Sequence, residues 1–530
     1  MADLVHQLVA QSALRFPQRE ALKYRDRVLD YAELARAIQA FADGLLGLGL
    51  ARADRVAIYA EKRFETVIAM FGTAAAGGVY VPINPLLKAE QVAYILTDCN
   101  VRVLVTSAER LPLLIPVLSQ CPDLRCVVVM GAKVTDLSIG GMAVLAWDEV
   151  ADRMTDRTPH RVIDQDMAAI LYTSGSTGRP KGVVLSHRNI VAGARSVAEY
   201  LELTAENRIL SVMPLSFDYG MNQLTTAFLV GGTAVLMNYL FPRDIVSMVE
   251  TEKITGLGAV PPLWIQLAQL EWPASVTEHL RYFTNTGGHM PKATLAQLRR
   301  SLPNTKPYLM YGLTEAFRST YLPPSEIDRR PDSMGKAIPN AEILVVSEDG
   351  RPCAPNEPGE LVHRGVLVSQ GYWNDREKTA ERFKPVPSQN PALTITELAV
   401  WSGDTVRMDD DGYLYFVGRR DEMIKTSGYR VSPTEIEEVL YATKLVTEAT
   451  ALGIPHPVLG QAVALIATPA DGLHLTEEVL RAECQKHLPA YMVPAHFEIA
   501  KVSLPRNPNG KIDRKMLSTQ YAQHHTDPSA

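Results

Sequence analysis

The sequence predicts an α/β protein: a large N-terminal domain of layered α/β subdomains with a small β-rich subdomain, followed by a separate α+β C-terminal domain. Three observations predict it. Apolar strand-length runs alternate with amphipathic helix-length stretches through the first 300 or so residues, the pattern of layered α/β folds. After Lys336 the texture changes to short β-like runs broken by Gly, Pro and Asp turns. A charged break, Gly418-Arg-Arg-Asp421, then precedes a tail of roughly 110 residues, long enough to hold its own core. The length of 530 residues exceeds one ordinary core. The expected division is 1–420, with the β-rich part at roughly 336–420, and 421–530.

Leu4, Val5, Leu8, Val9 and Leu14 recur with helical spacing. Ala21–Tyr24 and Val28–Tyr31 flank Arg25-Asp-Arg27 as a hairpin. Leu34–Leu48 reads as an amphipathic helix ending near Gly47 and Gly49. There follow strand Arg55–Tyr59, helix Glu65–Ala76, strand Val79–Ile83, helix Lys88–Asp98 and strand Arg102–Thr106. Met167–Leu171 has the apolar run of a buried strand, and further strands fall near Arg208–Met213, Thr233–Met237, Gly256–Val260 and Arg281–Asn285. The β-rich part holds Glu342–Val346, Gly359–Val362 and Tyr413–Val417. In the tail, Pro433–Leu440 and Thr476–His487 read as helices, Glu448–Gly453 and Ala462–Ala467 as strands.

Apolar content of 46% with 21% charged residues is globular composition, and a net charge of −6 gives no polyanion-binding signal, so no nucleic-acid partner is expected. Cys99, Cys121, Cys126, Cys353 and Cys484 are scattered without zinc spacing, which fits reduced thiols and a cytoplasmic location. The first residues lack the basic flank and apolar run of a signal peptide, and no window reaches the length of a membrane span.

The chemistry concentrates in a few stretches. Tyr172-Thr-Ser-Gly-Ser-Thr-Gly-Arg-Pro-Lys-Gly182 follows the Met167–Leu171 run. Its glycines let backbone N–H groups turn inward, and its hydroxyls and Lys181 add donors, so the loop suits phosphate oxygens. The spacing is not that of a Walker loop, and read alone it is also an ordinary Ser/Gly loop. Tyr311-Gly-Leu-Thr-Glu315 offers a hydroxyl and a carboxylate after an apolar run. Trp401-Ser-Gly-Asp404 puts an aspartate at a turn. Ile424-Lys-Thr-Ser-Gly-Tyr-Arg-Val431 follows the charged break, and Asn509-Gly510 would project Lys511 from a tight turn, although read alone Lys511 is a solvated surface lysine.

In their order and intervals these stretches resemble the signatures of the adenylate-forming superfamily: acyl-CoA synthetases, amino-acid adenylating ligases, adenylation domains of nonribosomal peptide synthetases, and luciferases. The resemblance covers nearly the whole chain. It implies that Thr173, Ser174, Gly175, Ser176, Thr177, Gly178 and Lys181 hold ATP phosphates, with Thr314 beside them and Glu315 holding Mg²⁺. It implies that Gly287 and Gly288 let backbone approach the adenine, that Asp404 accepts from the ribose hydroxyls, and that Tyr311, Gly312 and Arg419 also contact the nucleotide. Asp421 takes the place of the hinge about which a mobile C-terminal domain rotates, Gly428 and Arg430 face the incoming thiol, and Lys511 steadies charge during adenylation. Thr173, Thr314, Glu315 and Lys511 form the implied catalytic set. Pro214–Gly220, Tyr311–Pro323 and Lys425–Glu435 are most similar to a bacterial branch of AMP-forming acyl-CoA ligases associated with exosortase A and exopolysaccharide systems.

One departure bears on the substrate. Where many acyl-CoA synthetases carry a histidine, this chain reads Ser216-Phe217-Asp218-Tyr219, similar to amino-acid-activating relatives whose aspartate anchors an ammonium. A buried carboxylate needs a cation or hydrogen bonds, and an amino acid would supply one. Asp218 capping a helix near Tyr219 is the other reading. Phe217, Asp218, Tyr219, Thr286, Gly312 and Arg318 are the expected substrate contacts, suited to a polar, zwitterionic acid. His187 and His289 read as local hydrogen-bonding residues. The expected activity is an ATP- and Mg²⁺-dependent, AMP-forming ligase that adenylates a carboxylic or amino acid and passes it to the pantetheine thiol of CoA or of an acyl or peptidyl carrier protein. A stand-alone carrier-loading amino-acid ligase, a phosphate-loop ATPase and a degenerate nucleotide-binding protein are the rivals.

Overall fold

Period-two alternation in the first strands decides the layering. Val56 and Ile58 of strand Arg55–Tyr59 enter one hydrophobic cluster while Ala57 and Tyr59 enter another on the opposite face. Val103 and Val105 against Leu104 repeat the split in strand Val101–Ser107. A sheet apolar on both faces must be covered on both, and it is mostly parallel, as such sheets are. The computed structural model describes residues 2–131, 138–139, 141–153, 155–173, 179–387, 390, 392–419, 423–470, 473–505 and 512–525.

Among these residues lie three sheets, of eight, fourteen and five strands. The eight-stranded sheet ends on the antiparallel pair Met167–Thr173 and Lys181–Ser186, with Thr173 opposite Lys181. The centre of the fourteen-stranded sheet is parallel: Thr233–Leu236, Arg208–Ser211, Gly256–Ala259, Tyr282–Asn285 and Lys306–Tyr311 lie side by side. The β-rich unit is not a separate body packed against this sheet, as its change of texture suggests. Strand Ser333–Ala337 pairs with Thr320–Leu322 on one side and Leu414–Arg419 on the other, so the large sheet runs on into it. It keeps a small cluster of its own around Ile343, Leu361 and Val406.

Element boundaries follow local chemistry. The first long helix starts at Tyr31, earlier than its apolar stripe, because Asp30 and Glu33 form a reciprocal capping box. The helix Asp218–Val230 starts after Phe217, so Asp218 is its first residue and makes no capping bond. Its next turn is pressed against the preceding loop: a Cβ on Gly220 would lie 2.0 Å from the Pro214 carbonyl oxygen.

Beyond residue 423 the tail builds its own five-stranded sheet and a core around Ile436, Leu465 and Leu480. It meets the large body at defined points. The turn between Ile424–Thr426 and Tyr429–Val431 carries two positive φ angles, Ser427 at 52° and Gly428 at 80°. That turn enters the large body so closely that a Cβ on Gly428 would stand 3.0 Å from three side-chain carbons of Val260. Tyr429 stacks on Tyr491 at 3.8 Å and meets the Phe217 ring edge-on at 5.2 Å. Gln91 Nε2 donates to Glu435 Oε1 at 3.0 Å across the same contact.

This packing can be tested at two positions. Gly220→Ala forces a methyl into a backbone carbonyl and should cost about 1–3 kcal/mol, the usual range for overpacking, read as a lower thermal midpoint; an unchanged midpoint would mean that the helix can withdraw at no cost. Glu435 is buried and burial pushes its pKa up from 4.5 to about 7. Its contribution is therefore complete below about pH 4.5 and is lost as pH rises to about 7, amounting to at most about 3 kcal/mol. The midpoint of the native protein should fall across that window relative to Glu435→Gln, and parallel curves from pH 4.5 to 8 would refute the assignment.

Candidate active site

The ends of the central parallel strands, the start of the Asp218 helix and the tail turn surround a cavity of about 190 Å³. Ligand sites in open α/β sheets lie at such strand ends. Thr173, Phe217, Asp218, Tyr219, Thr286 and Arg318 line it, as do Gly287, Gly312, Thr314 and Glu315. Gly428 and Arg430 close it from the tail. A larger space of about 820 Å³ adjoins it, bordered by Gly287, Gly288, Tyr311 and Gly312 and by the tail segment from His456 to Gln461. Gly287, Gly312, Lys425 and Gly428 border both, so the two spaces meet at the tail turn.

Glu315 sits in a short 3-10 turn, Thr314–Ala316, and is buried. Its Oε1 accepts from the Tyr372 hydroxyl at 2.6 Å, and Lys181 lies over the Tyr372 ring at 5.3 Å. Burial lowers the Lys181 pKa, so its ammonium is held without full hydration. A buried carboxylate at the cavity wall beside a lysine fits Mg²⁺ with polyphosphate, because Mg²⁺ takes few protein oxygens and completes its shell with phosphates and water. Among the described residues no group of three or more His, Cys, Asp or Glu gathers as an all-protein cage.

Tyr311 donates to Asp404 Oδ2 at 2.5 Å. Asp404 is buried on strand Leu398–Met408 and pairs in register with Arg419. Gly287, at φ 80°, leaves 3.1 Å between a would-be Cβ and Val260 Cγ1, so only a glycine keeps that wall thin. Ser174, Gly175, Ser176, Thr177, Gly178, Asp421 and Lys511, and the side chain of Arg419, lie outside the described residues.

Asp218 and Arg318, both named from the sequence, meet directly in the cavity wall. Asp218 forms an ion pair with Arg318, so its cation is supplied by the protein itself. Arg318 is 2% exposed and lies over the Tyr219 ring at 5.0 Å. It is aimed there by Phe317, a buried residue at φ 56°, a conformation bulky side chains rarely adopt. Gly193 makes room for that ring: a Cβ on it would come within 2.3 Å. Tyr219 shares a hydrogen bond of 2.5 Å with Thr284 Oγ1. His187 accepts from the Val5 N–H at 3.1 Å, while His289 borders the larger space.

Sequence reasoning missed Tyr372, Gln91, Glu435, Tyr491 and Ser216. Ser216 and Glu435 lie within stretches the pattern singles out, but Tyr372, Gln91 and Tyr491 are brought in from distant segments, and no spacing announces them.

Residues 9–373 match the AMP-binding enzyme family and residues 435–511 the AMP-binding enzyme C-terminal domain. The chain is 31% identical to one of the linear gramicidin synthase proteins of Brevibacillus parabrevis over 97% of its length, but spans only 10% of that protein. It is 29% identical to feruloyl-CoA synthase of an Amycolatopsis species over 94% of both chains. Among solved structures, o-succinylbenzoate CoA synthetase of Bacillus subtilis, in a double mutant bound with a product analogue, overlays with a TM-score of 0.82 at 25% identity, covering 96% of this chain and 97% of that one. The same enzyme in complex with its acyl-adenylate intermediate overlays with a TM-score of 0.68 over the same shares. The paired matches, the two-part architecture and the strand-end cleft together establish that this chain belongs to the AMP-binding enzyme family of the adenylate-forming superfamily.

Proposed function

We propose that the chain is an ATP-dependent, AMP-forming ligase of acyl-CoA synthetase type, which activates a carboxylic acid as its adenylate and transfers the acyl group to a pantetheine thiol. The observation that carries this reading is the Gly428 turn seated in the cleft beside Val260 and Gly287. The closer overlay on the product-analogue form of o-succinylbenzoate CoA synthetase than on its adenylate form agrees with it. The turn's glycine stands where the two spaces share their walls, the place a thiol arm would have to reach.

In the first half-reaction a substrate carboxylate oxygen attacks the α-phosphorus of ATP and pyrophosphate leaves. Thr173 and Lys181, paired in register across the strands Met167–Thr173 and Lys181–Ser186, contact the phosphates on this reading. Such an antiparallel hairpin differs from the strand–loop–helix of a phosphate-loop ATPase. Gly287, Gly288, Tyr311 and Gly312 seat the adenine, Asp404 and Arg419 the ribose, and Thr314 the α-phosphate side. Mg²⁺ held at Glu315 would neutralise phosphate charge. Phe217, Asp218, Tyr219, Thr286, Gly312 and Arg318 hold the acid, and Lys511 steadies the charge that shifts during attack. In the second half-reaction the tail, pivoting at Asp421, brings Gly428 and Arg430 to the cleft, and the thiol displaces AMP. Holding reactants together and excluding water are the main contributions.

Free CoA is the acceptor favoured here, because the match to feruloyl-CoA synthase spans nearly all of both chains. Carrier loading is the second reading, favoured by the likeness to the gramicidin synthase protein. All five cysteines are unpaired, which suits a reducing cytoplasm; no described helix is long and apolar enough to cross a membrane. The link to exopolysaccharide systems rests on Pro214–Gly220, Tyr311–Pro323 and Lys425–Glu435 alone.

Acid-dependent exchange of pyrophosphate into ATP, with AMP as the spent nucleotide, is the direct test; ADP as product would overturn the reading. Lys511→Ala should slow adenylate formation by about 10²–10³-fold, the usual loss for one electrostatic stabiliser. It should leave thioester formation from supplied adenylate largely intact. Equal losses in both half-reactions would refute the division of labour.

A further inference from the structure

We propose that the acid this site accepts carries a second carboxylate, which Arg318 takes in a bidentate grip. The proposal rests on the ligase reading above and names its substrate class.

Arg318 is only half satisfied. Its Nη1 serves Asp218 and donates to the Phe317 carbonyl at 2.8 Å. Its Nε and Nη2 are buried and have no partner among the described residues. Those two nitrogens form one edge of the guanidinium, and this protein shows what the edge is for. Arg188 grips Asp164 through Nε and Nη2 at 2.7 and 3.0 Å. Arg364 grips Glu397 through the same pair, both at 2.8 Å. Arg318 alone of the three lines the substrate cavity and keeps that edge unspent.

An arginine stays protonated in proteins, so the unpaired edge cannot be relieved by losing a proton. Leaving charged donors buried without acceptors is costly, and a carboxylate is the group whose geometry matches the edge. Ser216, another residue of the cavity wall, has a buried hydroxyl with no partner among the described residues. Asp218 is already neutralised, which weakens the case for an ammonium. Phe217 and Met213 supply apolar wall between the ends, and the cavity of about 190 Å³ suits a short chain of carbons rather than a long acyl tail.

The test compares three probes of matched length in pyrophosphate exchange: glutarate, pentanoate and norvaline. The proposal expects kcat/KM for glutarate to exceed that for pentanoate by about 10- to 100-fold, the worth of hydrogen bonds to a charged group. In Arg318→Met that ratio should fall towards one. Because that variant strands Asp218, the double variant Arg318→Met with Asp218→Asn is measured beside it and should show the same collapse. Calorimetric titration of glutarate onto the native protein supplies a readout independent of chemistry, with binding expected and lost in both variants. Binding without exchange would sustain the subsite while sinking the ligase reading. Exchange that favours pentanoate or norvaline, or a glutarate preference that survives both variants, would overturn the subsite. Neither binding nor exchange would overturn both.

Discussion

A guanidinium lies almost wholly out of water at Arg318, and this end of the cleft is arranged around that fact. Its burial is tolerable only because Asp218 stands against it, and a carboxylate so placed must come from a fixed element. The helix Asp218–Val230 provides that element, with Gly220 allowing the close approach of the preceding loop. Arg318 is delivered from the other side by an unusual backbone at Phe317, itself possible because Gly193 gives up its side chain. Breaking a pair of this kind from one side generally costs about 3–5 kcal/mol, since the remaining charge is left alone. The pair therefore ties the helix Asp218–Val230 to the segment carrying Glu315, and so fixes two walls of the cavity relative to one another.

The second constraint is space at the tail contact. Val260 leaves a would-be Cβ on Gly428 only 3.0 Å, and Gly287 thins the opposite wall. On the proposed function, closure this tight would keep water from a reactive anhydride. Glu435, buried against Gln91 and pushed up to about 7, lies at the same contact.

Much of the fold was legible because periodicity is a local property. The strand Arg55–Tyr59 and the tail helix starting at Pro433 stand where alternation and helical spacing put them. The start of the first long helix was misplaced because a capping box, Asp30 with Glu33, extends it beyond its apolar stripe. The continuity of the β-rich part with the large sheet was not legible, since it depends on Ser333–Ala337 pairing on both edges. At the site, motif spacing assembled residues around the cavity as far apart as Thr173 and Gly428. It could not show that Asp218 already owns a cation, because that is a contact between residues 100 positions apart. The same holds for Tyr372, which braces Glu315 from 57 positions away.

The tail's helix Pro433–Thr443 carries two glutamates with different partners. Glu435 and Glu437 are two positions apart, so they face different sides of the helix. Glu435 meets Gln91 of the large body. Glu437 faces inward, accepting from the Ala451 N–H at 2.7 Å and from Arg514 Nη2 at 2.5 Å. Arg514 begins the helix Arg514–His525, three residues after Lys511. The chain leading out of Lys511 is thus tied to a different side of this helix from the one docked on the large body. On the proposed roles, the side that presents Gly428 and the side that would present Lys511 compete for one cleft, and a rotation of the tail is what lets each act in its turn.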